Sequence, residues 1–149
     1  EINMAYITDD IIAYLSTHAS ITPLITTSPL HIFSGAIPKK VGNVLVGDTF
    51  ISLEENGGDK ARTMAGPTGD REPLYVIRVT APTKSKIKAI FFALDEALEV
   101  NTTQVTMGDM VVQHGFLSEP EDTSTATSDG TGGLTLEMAA NYELLCRVS

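Results

Sequence analysis

The strongest pattern in the chain is an alternation near its end. Leu134, Leu136, Met138, Ala140, Tyr142, Leu144, Cys146 and Val148 take every second position, and Thr135, Glu137, Asn141, Glu143 and Arg147 lie between them. A period of two held this long predicts a strand with one buried and one wet face. At roughly 3.3 Å per residue it reaches about 50 Å, longer than a typical strand, so it should bend, break or run past its own domain. Residues 74–80 predict a second strand, with Tyr75, Ile77 and Val79 on one face and Leu74, Val76, Arg78 and Thr80 on the other. Met110, Val112, His114 and Phe116 alternate in a third. Two further candidates are 30–33 and 44–53. In the latter, Thr49, Ile51 and Leu53 share a face, and Gly47-Asp48 reads as a bulge.

Two segments carry helical spacing instead. In the first, Thr8 reads as an N-cap with Asp9 and Asp10 in the first turn, where negative charge suits the helix dipole. Ile11, Leu15 and His18 form its stripe, and Pro23 ends it. In the second, 85–99, Ile87, Ile90, Phe91, Leu94 and Leu98 form an apolar face. Its charges run against the macrodipole: Lys84, Lys86 and Lys88 crowd the start, and Asp95, Glu96 and Glu99 the end. Each misplaced exposed charge costs about 0.3–1 kcal/mol at most.

Two polar stretches separate these elements. Residues 56–73, rich in Gly and Pro, predict a long loop that holds Lys60, Arg62 and Arg71. Residues 118–133 predict a flexible acidic connection between two antiparallel strands. The order of elements predicts an α+β fold: a two-layer, mostly antiparallel sheet of four to five strands with two main helices packed on one face. The chain of 149 residues is expected to form a single domain, 1–149.

Composition narrows the function. At 42% hydrophobic and 19% charged, the chain is not disordered by composition. No apolar run approaches the roughly 20 residues of a membrane-spanning helix. No basic segment followed by an apolar core opens the chain, so a retained signal peptide is not expected. The first residue is Glu, which leaves open whether the start is trimmed. Ten Lys and Arg against 19 Asp and Glu give a net charge of −9, which disfavours binding to phosphate backbones or anionic lipid.

Candidate chemistry is sparse. His18, His31 and His114 show no metal-ligand spacing, and Cys146 is the single cysteine, on an apolar face where it behaves as a small hydrophobe. His114, set among apolar residues, reads as a core or interface histidine. The stretch Gly66-Pro67-Thr68-Gly69-Asp70-Arg71 is not a phosphate loop. Asp95, Glu96 and Glu99 lack a second carboxylate motif to complete a site, and the Asn101-Thr102-Thr103 sequon carries little weight. No catalytic, cofactor-binding or metal-ligating residues are expected, and the chain is read as a non-enzyme. A small-molecule face around Tyr75, Arg78 and His114 is the competing expectation.

Two long polar stretches and an overlong strand, read as an edge strand, are costly in a monomer and useful in an oligomer. The candidate subunit or partner surface is therefore Lys39, Lys40, Lys60, Arg62, Arg71, Glu119, Glu121, Asp122 and Asp129.

The pattern resembles the tail terminator (tail completion) proteins of long-tailed bacteriophages. The residues that carry the resemblance are Ile11-Ile12-Ala13-Tyr14-Leu15, Ile32-Phe33-Ser34-Gly35-Ala36-Ile37-Pro38 and Leu74-Tyr75-Val76-Ile77-Arg78-Val79. They continue in Ala93-Leu94-Asp95-Glu96-Ala97-Leu98 and Tyr142-Glu143-Leu144-Leu145-Cys146-Arg147-Val148. The resemblance implies a small α+β domain forming a hexameric ring that caps the tail tube, stops its polymerisation and joins it to the head or neck. It implies three partners: further copies of the chain, the tail tube protein and a head-completion or neck protein. DNA would only pass through the lumen, and no membrane or cofactor is involved. The location implied is the virion's tail–neck junction, after assembly in the host cytoplasm. Another head–tail connector or a tail tube protein is the alternative. A ring of such acidic chains would repel passing DNA and let it slide.

Overall fold

The computed structural model describes residues 4–25, 31–34, 40–41, 44–45, 49–63, 66–101, 103–108, 110–123, 125–126 and 134–148. The chain opens with α1 (Met4–Thr17), followed by β1 (Ile32–Ser34), β2 (Lys40–Val41), β3 (Val44–Leu45), β4 (Phe50–Thr63) and β5 (Gly66–Thr80). Helix α2 (Lys84–Leu98) comes next, then β6 (Val105–Met107), β7 (Met110–Leu117), β8 (Glu121–Asp122), β9 (Thr125–Ala126), β10 (Leu134–Thr135) and β11 (Glu137–Val148).

Helix α1 starts earlier than its charge pattern predicts. Thr8 is not its cap: it lies inside the helix, buried beside the stripe Ile7, Ile11 and Leu15. The helix stops at Thr17, well before Pro23. There the Ser16 and Thr17 hydroxyls donate back to the Ala13 carbonyl, and turns centred on His18 and Ile21 take over. Helix α2 follows its prediction more closely. Thr83 caps it, accepting from the Lys86 amide at 3.2 Å, and Ile87, Ile90, Phe91, Leu94 and Leu98 are buried. Lys84 stands 2.7 Å from Asp122, which offsets part of its unfavourable position at the helix start.

The main sheet has the order β1-β4-β5-β11-β7-β6, with β8 also on β11. All its pairs are antiparallel except β1 with β4. The fold is α+β, but the sheet is mixed and has seven strands rather than four or five. The extra strands are the short β6 and β8, too brief to show an alternation, while β1 is the strand expected at 30–33. The long alternating segment is not an edge strand: β11 lies between β5 on one side and β7 and β8 on the other. Its backbone is satisfied within one chain, so its length alone gives no reason for self-assembly.

Both helices lie on one face of the sheet. Tyr75 of β5 and Tyr142 of β11 are register partners and share that face. The Tyr75 hydroxyl hydrogen-bonds Thr8 of α1 at 3.0 Å, and the Tyr142 hydroxyl donates to the Leu98 carbonyl at the end of α2 at 2.9 Å. Ile51, Leu53, Ile77, Val79, Leu144 and Cys146 complete the buried layer. The opposite face is wetter, with Glu54, Asn141 and Glu143 exposed.

Strand β7 changes face halfway. Leu145 pairs His114 and Cys146 pairs Val112, so Gln113 is an extra residue, a β-bulge. Met110 and Val112 are buried before it, and Gly115 and Leu117 after it. His114 and Phe116 therefore turn outward and are exposed, so of the two readings of His114, core or interface, the core one is corrected. The β6–β7 turn uses Gly108 at φ +61°, where a Cβ would strike the Asp10 carboxylate of α1.

Candidate assembly surface

Residues 56–73 are not a loop. Strands β4 and β5 stay paired from Phe50↔Thr80 to Thr63↔Gly66, with register shifts between Glu55 and Gly58 and between Lys60 and Arg62. Strand β11 accompanies β5 only as far as Asp70, the partner of Arg147. Past that row, 61–63 and 66–69 continue as a two-stranded ribbon. Among the described residues, no strand pairs with the outer edge of β4 beyond Leu53.

A second ribbon leaves the other end of the sheet. Glu121↔Ala139 and Asp122↔Met138 keep the same register as Thr125↔Thr135 and Ala126↔Leu134. The Thr123 amide donates to the Glu137 carbonyl between them. The alternating segment thus breaks only at Leu136, and its partners β8 and β9 lie inside the stretch predicted as a linker. Strand β5 stops at Thr80, opposite Glu137. Because β5 and β11 are antiparallel, the two ribbons point away from opposite ends of one sheet.

The ribbons differ in charge. Arg62 lies on the first; Lys60 and Asp70 lie at its root, where β11 still accompanies β5. Glu119, Glu121 and Asp122 lie at the root of the second and are exposed; Asp122 pairs with Lys84. Arg71 sits one row inside the sheet, between Lys60 and Cys146. Lys40 is in β2, opposite Leu45, in a separate two-stranded sheet. Lys39 and Asp129 fall outside the described residues. The described candidates therefore divide between the two ends of the sheet and the β2–β3 pair.

A hollow of about 240 Å³ lies beside the root of the second ribbon, between α2 and the end of β7. Phe91, Phe92, Leu117 and Pro120 line it, with Lys88, Asp95 and Glu119 among its charged neighbours. Phe92 is 69% exposed, the largest value for a large apolar side chain among the described residues. Sequence reasoning passed over it. The signal was the run Ile90-Phe91-Phe92, since a helix that buries positions 87, 90, 91, 94 and 98 turns position 92 away from the core.

The competing small-molecule face does not form. Tyr75 points into the core, while Arg78 lies on the opposite face, 2.7 Å from Glu54 and 3.8 Å from Glu137. His114 is exposed on β7, beyond β11. Burial pushes the Tyr75 and Tyr142 phenols well above their ordinary range, as suits structural hydroxyls. Cys146 is fully buried. His18 accepts from the Ser20 amide through Nδ1, and His31 is buried with Nε2 unpaired among the described residues. Among the described residues, no three His, Cys, Asp or Glu side chains are grouped to hold a metal ion, and no helix is long and apolar enough to cross a membrane.

No protein-family model and no curated protein matches the chain. Among solved structures, the chain is similar to one from the "Virion of native gene transfer agent (GTA) particle". The TM-score is 0.55 at 14% identity, over 93% of this chain and 92% of that chain. A likeness of that extent at so low an identity shows a shared fold.

Proposed function

We propose that this chain is a structural protein of a phage-like virion, and more narrowly a tail terminator. In this reading it forms a ring, six copies in the resembled family, that caps the tail tube, stops its growth and offers a joint to the head or neck. The observation that carries the reading is the likeness, over nearly the whole of both chains, to a chain of a virion particle. The sequence resemblance to tail terminators narrows it. Two ribbons reaching past the sheet support it, because a two-stranded hairpin without further cover is marginal in water and gains from a neighbour. The role is non-catalytic and needs no cofactor; DNA passes through an acidic lumen without being held.

The same likeness also supports a tail tube protein or another head–tail connector, and assembly behaviour separates them. Purified protein is mixed with purified tail tubes and imaged by electron microscopy, with native mass spectrometry in parallel. A single ring at tube ends is the expected result. Long tubes of this chain alone would favour the tube reading. A chain that stays monomeric and leaves tube ends bare would overturn the assembly role.

A further inference from the structure

We infer that Asn56 is a site of spontaneous modification: its side-chain amide is lost by reaction with the backbone nitrogen of Gly57, which leaves aspartate or isoaspartate in β4. This goes beyond the assembly reading and does not depend on it.

The sequence supplies the reacting pair. The side-chain carbonyl carbon of Asn56 and the nitrogen of Gly57 can close a succinimide ring, and an attack within one chain needs no encounter. Gly57 has no Cβ to shield its nitrogen. In a regular strand that nitrogen is held in the ladder, and the extended backbone keeps it away from the side chain.

The structure removes that protection at this point. Glu55 pairs with Tyr75 and Gly58 with Pro73, so Asn56 and Gly57 together face Leu74 alone. This is a β-bulge, where the extra residue is unpaired and the ladder is interrupted. The row beside it is weakly tied as well, because Pro73 has no N–H to give to a neighbour. On the outer side, among the described residues, no strand covers β4 beyond Leu53. The Asn56 side chain is exposed, so water and hydroxide reach it. Asn141 is the contrast. It lies in the central strand β11, opposite Val76, its amide donates to the Ser118 hydroxyl at 2.9 Å, and the buried Tyr142 follows it.

The reaction balances with water as its one co-reactant. Hydroxide takes the Gly57 amide proton, and the nitrogen bonds to the Asn56 side-chain carbonyl carbon. The bond from that carbon to the side-chain nitrogen breaks, and ammonia leaves with a proton from water. Water then adds to one of the two imide carbonyls. Breaking the new carbon–nitrogen bond gives aspartate; breaking the original peptide bond gives isoaspartate, with the chain routed through the side-chain carbon. Nothing is oxidised or reduced. Either product adds a negative charge beside the exposed Glu54 and Glu55. Isoaspartate also lengthens the backbone of β4 before the strand runs on to Thr63.

The test is to age the folded full chain at mildly alkaline pH beside the same chain unfolded in guanidinium chloride. Peptide mapping by mass spectrometry reads amide loss at each asparagine, and an isoaspartyl methyltransferase counts isoaspartate. The folded chain is expected to lose the Asn56 amide within about tenfold of the unfolded rate, because the bulge leaves the pair free of the ladder. Asn141 should keep its amide over the same interval, and the rate at Asn56 should rise with pH. Gly57→Ala should slow the loss roughly tenfold by shielding the nitrogen. A Gly57→Ala chain that loses the amide as fast as wild type overturns the inference. So does folded wild-type protein that keeps Asn56 intact while the unfolded chain converts, or that loses it no faster than Asn141, and this comparison needs no variant to fold.

Discussion

Two tyrosines, paired across adjacent strands, hold the two helices in different ways. Tyr75 bonds a side chain, Thr8, in the middle of α1. Tyr142 bonds a backbone carbonyl, Leu98, at the end of α2. The last carbonyls of a helix have no partner within it, so Tyr142 satisfies a group that would otherwise be left bare in the core. Thr8 has further polar contacts besides Tyr75. The surroundings differ too: at Gly115 an added Cβ would lie 2.7 Å from both the Leu98 carbonyl and the Tyr142 hydroxyl. The α2 clip is thus a three-part joint with no spare volume, while the α1 clip joins two hydroxyls that each have further interactions.

The largest effect should come from breaking the joint itself. Gly115→Ala is expected to lower unfolding free energy by about 3 kcal/mol in urea titration, since both the helix end and the tyrosine must move. Tyr142→Phe leaves the carbonyl unsatisfied and should cost about 2 kcal/mol; Tyr75→Phe should cost about 1 kcal/mol or less. Equal losses for the two Phe variants would erase the asymmetry. Thr83→Ala, which uncaps the other end of α2, should cost about 1 kcal/mol in the same titration.

Alkali sharpens the comparison. Both phenols are raised above 10.0 by burial, so the unfolded chain loses these protons first. Stability is then flat with respect to these groups below about pH 10 and falls above it, by up to about 1.4 kcal/mol per pH unit for each tyrosine. Removing either hydroxyl should flatten the slope of midpoint against pH. The smallest effect belongs to the Arg78–Glu54 pair on the wet face. It is more than a third exposed on both sides, so Arg78→Ala should move stability by under about 1 kcal/mol.

What the sequence made legible follows burial. The inward faces of β5, β11 and α2 were readable because each packs against one dry layer, which imposes period two or 3.6 on its apolar residues. The 56–73 ribbon was unreadable for the converse reason. Its apolar residues keep no period of two, and its Gly and Pro residues resemble loop composition. Strand β7 misled because one extra residue, Gln113, exchanges the two faces. The central position of β11 was hidden because alternation reports burial across a sheet and is silent on how many neighbours a strand has along it. The candidate surface was half legible. Its charges were visible in the sequence, but their division between opposite ends needed the register.

The central position of β11 also sets the order of events during synthesis. Both strands it joins, β5 and β7, leave the ribosome before it does. Until β11 arrives, the nascent chain holds two strands that will not bond each other, with an open slot between them. That slot is a ready template for any other strand, so the interval before residues 137–148 emerge is when this protein is most prone to aggregate.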